Sequence, residues 1–366
     1  MSLFQPIIVK SYLERINEEE VNQAWIKFQK HFQDTQIQSN IKASKEEQYQ
    51  EGFLRDLFVN VFGYTLNPTI GFNLKTEIKN VKGSKKSDAA ILKDDKALAV
   101  IELKGMNTTD LSTIESQAFG YKNYHLKCRY VITSNFQKLR FYIDNAVEYE
   151  EFDLFKINQT DFKLLYLLLK AEHLINNLPL KIKNDSIGQE KKITNQLYKD
   201  YSAFKNALFN NLIQNNPQFD QLLLFQKTQK LLDRFLFIFF SEDRGLLSAN
   251  TSHTMIKEWE ESKRLKLKLG LYEHIKNYFG YLDTGYKDDH SEIYSYNGGL
   301  FKPDEVLDAV AISDDVLHAH ITRIADYDFA SEVDVGILGH IFEHSLTEID
   351  EIKAKIQGIE PEKSKS

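Results

Sequence analysis

The residues best able to do chemistry lie in two short runs, Ser87-Asp88-Ala89-Ala90-Ile91 and Val100-Ile101-Glu102-Leu103-Lys104, with thirteen residues between the two acids. On a strand, residues two apart share a face, so Glu102 and Lys104 project to one side while Ile101 and Leu103 turn to the core. If Asp88 begins the partner strand of a hairpin, its carboxylate reaches the side of Glu102. Two carboxylates held together repel unless a cation lies between them, and hard oxygen ligands suit Mg²⁺. A lysine beside that cation could orient or deprotonate an attacking water, while the metal stabilises charge developing on a phosphate oxygen. Those parts are sufficient for phosphodiester hydrolysis. The tripeptide Glu-x-Lys alone is unspecific, because a chain rich in both residues also shows it on ordinary edge strands with solvated charges.

The surrounding elements must position these groups. A helix is expected over Lys45–Phe62, with Phe53, Leu54, Leu57, Phe58, Val61 and Phe62 as its apolar face and Gly63 closing it. Glu51 stands at 3- and 7-residue spacing from Leu54 and Phe58, at the border of that face. There it reads either as an acid favoured by the helix dipole or as one partnered by a metal cleft. Strands are expected at Gly71–Asn80, Asp88–Lys93 and Ala97–Leu103, the last two joined in a hairpin by Asp94-Asp95. A second helix, Asp110–Leu126, carries Gln117 between Ile114 and Tyr121 on its inward stripe. That amide could bond the lysine, the water or a phosphate, or stand as an ordinary amide at the stripe's edge. Two further strands, Tyr130–Ser134 and Leu139–Ile143, complete an α-β-β-β-α-β-β order, a mixed sheet flanked by helices. Five lysines (75, 79, 82, 85, 86) against Glu77 alone precede Asp88, a local charge of +4.

Taken together these residues resemble the PD-(D/E)XK nuclease superfamily, whose core has this element order. The resemblance implies Asp88 as the first metal acid, Glu102 and Lys104 as the (D/E)XK pair, Glu51 as the helical acid and Gln117 as the glutamine found in many members. It further implies that Asp88, Glu102 and the Leu103 carbonyl hold Mg²⁺, with Mn²⁺ as a substitute. Lys104 would position or activate the water, and Lys82, Lys85 and Lys86 would face DNA phosphate. Ser87 stands where the motif name has proline, a departure that lowers its specificity.

Beyond about residue 156 the strand signal fades and helical windows dominate: Phe162–Ile175, Ile187–Gln214, Asp220–Phe240, Thr254–Gly270 and Leu271–Tyr281. Three runs there, Phe240-Ser241-Glu242-Asp243-Arg244-Gly245-Leu246-Leu247, Tyr296-Asn297-Gly298-Gly299-Leu300-Phe301 and Ile337-Leu338-Gly339-His340-Ile341-Phe342-Glu343, look like the helical connector of type IIG restriction–modification enzymes. In such enzymes a nuclease domain is joined through helices to an adenine methyltransferase and a target-recognition region. The resemblance spans about residues 46 to 349. No Asn-Pro-Pro-Tyr box and no glycine-rich turn for S-adenosylmethionine occur in the chain. The expectation is therefore an N-terminal fragment or a separate nuclease subunit: a helical segment at 1–45, the endonuclease domain at 46–155 and the connector at 156–366. Double-stranded DNA and a methyltransferase with its recognition region, in cis or in trans, are the implied partners, and S-adenosylmethionine belongs only to that absent domain.

The whole-chain chemistry bounds these expectations. A net charge of −7 over 366 residues argues against a generic nucleic-acid binder, so any phosphate contact must come from local patches. One cysteine, Cys128, excludes an internal disulfide and cysteine-based zinc sites. No apolar run approaches the roughly 18 residues of a membrane span, and the N-terminus lacks a signal-peptide pattern, so a cytoplasmic location is expected. His340-Ile341-Phe342-Glu343-His344 matches an inverted zinc-peptidase pattern but falls inside a connector run. A rival from a different class is a catalytically inactive nuclease fold kept as a DNA clamp or as a scaffold for a methyltransferase. The paired carboxylates weigh against it, since a clamp needs positive charge.

Overall fold

The computed structural model describes residues 3–79, 86–288, 292–296 and 298–331, together with positions 333, 337 and 339. It comprises two compact units, Met1–Gln189 and Glu190–Ser366.

The first unit begins with helices α1 (Pro6–Leu13), α2 (Glu18–Phe32), α3 (Thr35–Ala43) and α4 (Glu46–Phe53). Asn17 starts α2, its side chain accepting the N–H groups of Glu19 and Glu20, and three glutamates in the first turn complement the helix dipole. The buried positions of α2, Val21, Ala24, Trp25, Phe28 and Phe32, form the stripe that their 3- and 4-residue spacing predicts. Helix α4 continues into a π-helical segment, Leu54–Val61, rather than remaining α-helical to Phe62. Gly63, at φ +79°, ends the segment.

Six strands follow in one sheet: β1 (Leu74–Lys79), β2 (Lys86–Lys93), β3 (Lys96–Leu103), β4 (Tyr130–Ser134), β5 (Lys138–Ile143) and β6 (Tyr149–Asp153). Their spatial order is their chain order, and every pairing is antiparallel except β3 with β4. The β2–β3 hairpin turns at Asp94 and Asp95, both with positive φ (49° and 58°), as a two-residue primed turn requires. The parallel pair is connected through α5 (Ser112–Asn123). Strand β6 escapes sequence reading because four of its five residues are polar or tyrosine. It is a charged sheet edge held to β5 partly by Glu151, whose carboxylate accepts from Arg140 Nε at 2.6 Å.

The two faces of β3 bury against different partners. Ala99, Ile101 and Leu103 join the large core formed with α2, the π-helical segment and α6 (Gln159–Leu169). Val100 joins Ala118 and Tyr121 of α5, with Val131 and Tyr142, on the opposite face. This core corrects the expected domain limits at 45 and 155. Phe28 of α2 and Phe162 of α6 lie 5.0 Å apart between ring centroids, and Phe32 stands 6.1 Å from Phe53 of α4. The helices before and after the sheet therefore share its core, and the first unit extends through α7 (Ala171–Ile175) into α8 (Leu178–Asn215), within which the division at 189 falls.

Among its described residues the second unit is helical apart from a two-residue pairing of β7 (Tyr286–Lys287) with β8 (Glu292–Ile293). Its helices after α8 are α9 (Gln221–Asp243), α10 (Thr251–Arg264), α11 (Leu271–Thr284), α12 (Glu305–Ala309) and α13 (Asp314–Ala325). They close on a core that includes Phe204, Phe235, Phe279, Leu317 and Ile321. The run Phe240–Leu247 is a structural junction here. Glu242 accepts the N–H of Ser252 at the start of α10 (2.7 Å), and Asp243 accepts that of Phe329 (2.7 Å). Gly245, at φ +71°, lets the chain reverse so that Leu246 N–H donates to the Ser241 carbonyl. The residue Asn297 and most of the run 337–343, including His340 and Glu343, lie outside the described residues, as does His344. Among the described residues no helix is long and apolar enough to cross a membrane.

Candidate active site

The sheet places Asp88 and Glu102 together. Ala89 of β2 stands opposite Ile101 of β3, so the next pair along the antiparallel register is Asp88 with Glu102, on the face turned toward α5. Asp88 Oδ2 accepts the backbone N–H of Leu103 at 2.7 Å, which ties the acid to the end of β3. Because β3 also pairs in parallel with β4 through Glu102↔Thr133, both strands end at the same level. The backbone N–H of Lys104 then donates to the Ser134 carbonyl at 2.9 Å and carries the lysine just past the sheet.

Glu102 is 1% exposed. Its Oε1 accepts from Lys104 Nζ at 3.0 Å and from Gln117 Nε2 at 2.5 Å, whereas Oε2 is buried with no hydrogen-bond partner. Lys104 Nζ also donates to the Leu103 carbonyl at 3.0 Å. Gln117 is in turn 3.0 Å from the Tyr121 hydroxyl. The expected convergence of Asp88, Glu102, Leu103, Lys104 and Gln117 is therefore present, with Gln117 bonded to the acid itself.

Electrostatics follow from this burial. Desolvation, reinforced by the Asp88 charge, pushes Glu102 up to about 7 despite the bonded lysine. Asp88 is also raised, by burial first, against the pull of the Leu103 N–H and Lys104. Burial alone would lower Lys104, but Glu102, Asp88 and Glu46 outweigh it and hold the ammonium above its usual value. Lys104 is thus a cationic donor at neutral pH; it can orient a water or steady an anion, and the deprotonating role is the weaker one for it.

The helical acid is corrected. Glu51 does not join the cluster: its side chain is 65% exposed and pairs with Arg55, one helical turn on, at 2.7 Å. Glu46 joins instead, at the first turn of α4. Its Oε2 accepts the N–H of Gly105 at 3.0 Å, and its Oε1 lies 3.6 Å from Lys104 Nζ. The error has a physical source. Extrapolating from Leu54 and Phe58 back to Glu51 assumes a 3.6-residue period, but both residues lie in the π-helical segment, where i→i+5 bonding changes the phase. A usable signal was the row Glu46, Tyr49, Phe53 at 3- and 4-residue spacing, which stays within the α-helical part.

The described residues include only part of the lysine patch. Lys82 and Lys85 lie outside the described residues. Lys86 is engaged with Glu77 at 2.8 Å. Cys128 is buried and its thiol is pushed up to about 12 by burial, as a structural thiol.

Among the described residues no group of three or more His, Cys, Asp and Glu side chains is arranged to hold a metal ion. The donor set nevertheless fits Mg²⁺, which is held through one or two carboxylates completed by water and substrate phosphate. Two facing carboxylates supply hard oxygens, and the buried Oε2 of Glu102 is an acceptor with no donor among the described residues.

The first unit is thus a mixed α/β structure with a buried acid at the end of its one parallel strand pair, followed by a helical unit. No protein-family model matches the chain, and comparison with curated proteins and with solved structures finds no significant similarity.

Proposed function

We propose that this chain is a Mg²⁺-dependent DNA endonuclease of the PD-(D/E)XK kind, joined to the helical connector of a type IIG-like restriction–modification protein whose methyltransferase and recognition region act in cis or in trans. The observation that supports this most is the meeting of Asp88, Glu102 and Lys104 at the end of β3, with one oxygen of a deeply buried carboxylate left without a donor. Asp88, Glu102 and the Leu103 carbonyl would hold the ion, which when bound supplies a Lewis acid for the phosphate oxygen.

The protein's own groups do the rest. Lys104 directs a water toward phosphorus; as the new P–O bond forms the water gives up a proton to solvent, the ester P–O bond breaks and the leaving oxygen takes up a proton from solvent. Gln117 fixes the rotamer of Glu102 through its 2.5 Å bond, and Glu46 holds Gly105 and so the position of Lys104. A clamp or scaffold has no use for a buried acid pair that raises its own protonation, which is why hydrolysis is preferred over that reading.

The test is cleavage of supercoiled plasmid DNA with Mg²⁺ or Mn²⁺. Nicked or linear product from the native chain, lost in Asp88→Ala, Glu102→Ala and Lys104→Ala, is expected. Equal cleavage by the variants, or none by the native chain with either ion, contradicts the proposal.

A further inference from the structure

The sheet face that bears Asp88 continues away from the carboxylates as an open groove of about 880 Å³. Strand alternation sends Lys86, Asp88 and Ala90 of β2 to one side, and Lys75 of β1 stands opposite Ala90 on that side. Lys75 and Lys86 line one wall of the groove, and the other is the turn Tyr124–Lys127 that follows α5. This turn is anchored at both ends. Tyr124 N–H donates to the Tyr121 carbonyl, Cys128 N–H to that of His125, and Arg129 N–H to that of Leu98 in β3. The wall is therefore fixed to the sheet while Tyr124, 48% exposed, and Leu126, fully exposed, face solvent.

The charge of the groove opposes that of the chain. Lys75, Lys96 and Lys127 are exposed and have no acidic partner among the described residues. Of the two lining acids, Glu77 is engaged by Lys86 and Asp95 stands at the β2–β3 turn, so four lysines face two carboxylates along the groove. An adjoining hollow shares Lys96, Leu126 and Lys127 and is also lined by Lys93, Asp94 and Arg129, of which Arg129 pairs with Asp144 at 3.0 Å and Lys93 donates to the Ile175 carbonyl. A protein of net charge −7 has thus gathered unpaired lysines along one channel, with an exposed aromatic ring and an apolar side chain between them.

We propose that this groove binds a single-stranded polynucleotide, its phosphates on Lys75, Lys96 and Lys127 and one base stacked on Tyr124. Basic grooves that track a strand pair their lysines with aromatic platforms, because an unpaired base offers a π-face that a duplex keeps inside its stack. An acidic peptide would satisfy the lysines but give the Tyr124 ring no flat partner. The inference goes beyond the nuclease reading, which concerns duplex DNA at the carboxylates, and groove binding does not depend on cleavage there. Binding is therefore measured in EDTA, where no cleavage occurs.

Fluorescence anisotropy of labelled dT20, rU20, a 20-base-pair duplex and poly-glutamate, each with the full chain, tests it. Tighter binding of dT20 or rU20 than of the duplex and poly-glutamate is expected, the two strands distinguishing DNA from RNA. Lys96→Ala and Lys127→Ala should each lower the slope of log K against log salt by about 0.7. Tyr124→Ala should weaken binding about tenfold with the slope unchanged. All three side chains are exposed, so folding is preserved. Duplex or poly-glutamate binding as tight as the strands, strand binding indifferent to Tyr124 and the lysines, or no binding overturns the proposal. Strand binding that persists while plasmid cleavage fails dismisses the nuclease reading and leaves the groove standing.

Discussion

Lys104 Nζ lies 3.0 Å from Glu102 Oε1, while the other oxygen of that carboxylate is buried and unpartnered. One half of Glu102 is therefore neutralised inside the protein and the other half faces an unmet demand for a donor or a cation. A group in this state responds to protons, to metal and to loss of its lysine in ways that can be separated.

Protons come first. The folded-state value of Glu102, about 7, exceeds its ordinary 4.5, so near neutrality the folded chain keeps a proton that the unfolded chain has released. Its contribution to stability is full below about 4.5 and is lost as pH rises through about 7. In EDTA, Glu102→Gln should gain thermal stability over the native chain between pH 5 and pH 8. A gap that stays constant across that range contradicts the assignment.

The two glutamates of the α4 region give opposite expectations. Glu51 and Arg55 form an exposed pair, so Glu51→Gln should change stability by less than ~0.5 kcal/mol and leave cleavage intact. Glu46→Gln loses the charge beside Lys104 and weakens the bond to Gly105, and cleavage should fall on the order of 10–100-fold, as for other groups that orient a metal ligand or its neighbour. Plasmid cleavage rates of the two variants check this directly.

The reach of the sequence is visible in the same pair. Asp88, Glu102 and Lys104 were legible because a strand has a period of two and an Asp-Asp turn announces the hairpin, so register follows from local pattern. Gln117 was legible because α5 keeps a 3.6-residue period. Glu46 was passed over because Glu51 is phased from Leu54 and Phe58, beyond an α-to-π transition at Leu54 that has no local signature in residue type. Strand β6 was missed because a charged edge lacks apolar alternation, and the domain limits because core sharing between α2 and α6 is a contact across more than a hundred residues.

That shared core predicts how the chain can be divided. Phe162→Ala removes a ring packed on Trp25 and Phe28 and should destabilise the first unit by about 3–5 kcal/mol. A fragment of residues 1–189 should unfold cooperatively, whereas residues 46–155 alone should not fold. Circular dichroism melts of the two fragments decide this, and a cooperative melt of 46–155 contradicts it.

The central claim is that Asp88 and Glu102 share a divalent cation. The most direct measurement is calorimetric titration of Mn²⁺ into the full chain with a short duplex present, repeated with Asp88→Ala and Glu102→Ala. The account predicts saturable binding to the native chain that is lost in both variants. Binding that survives in either variant, or no saturable site in the native chain, would contradict it.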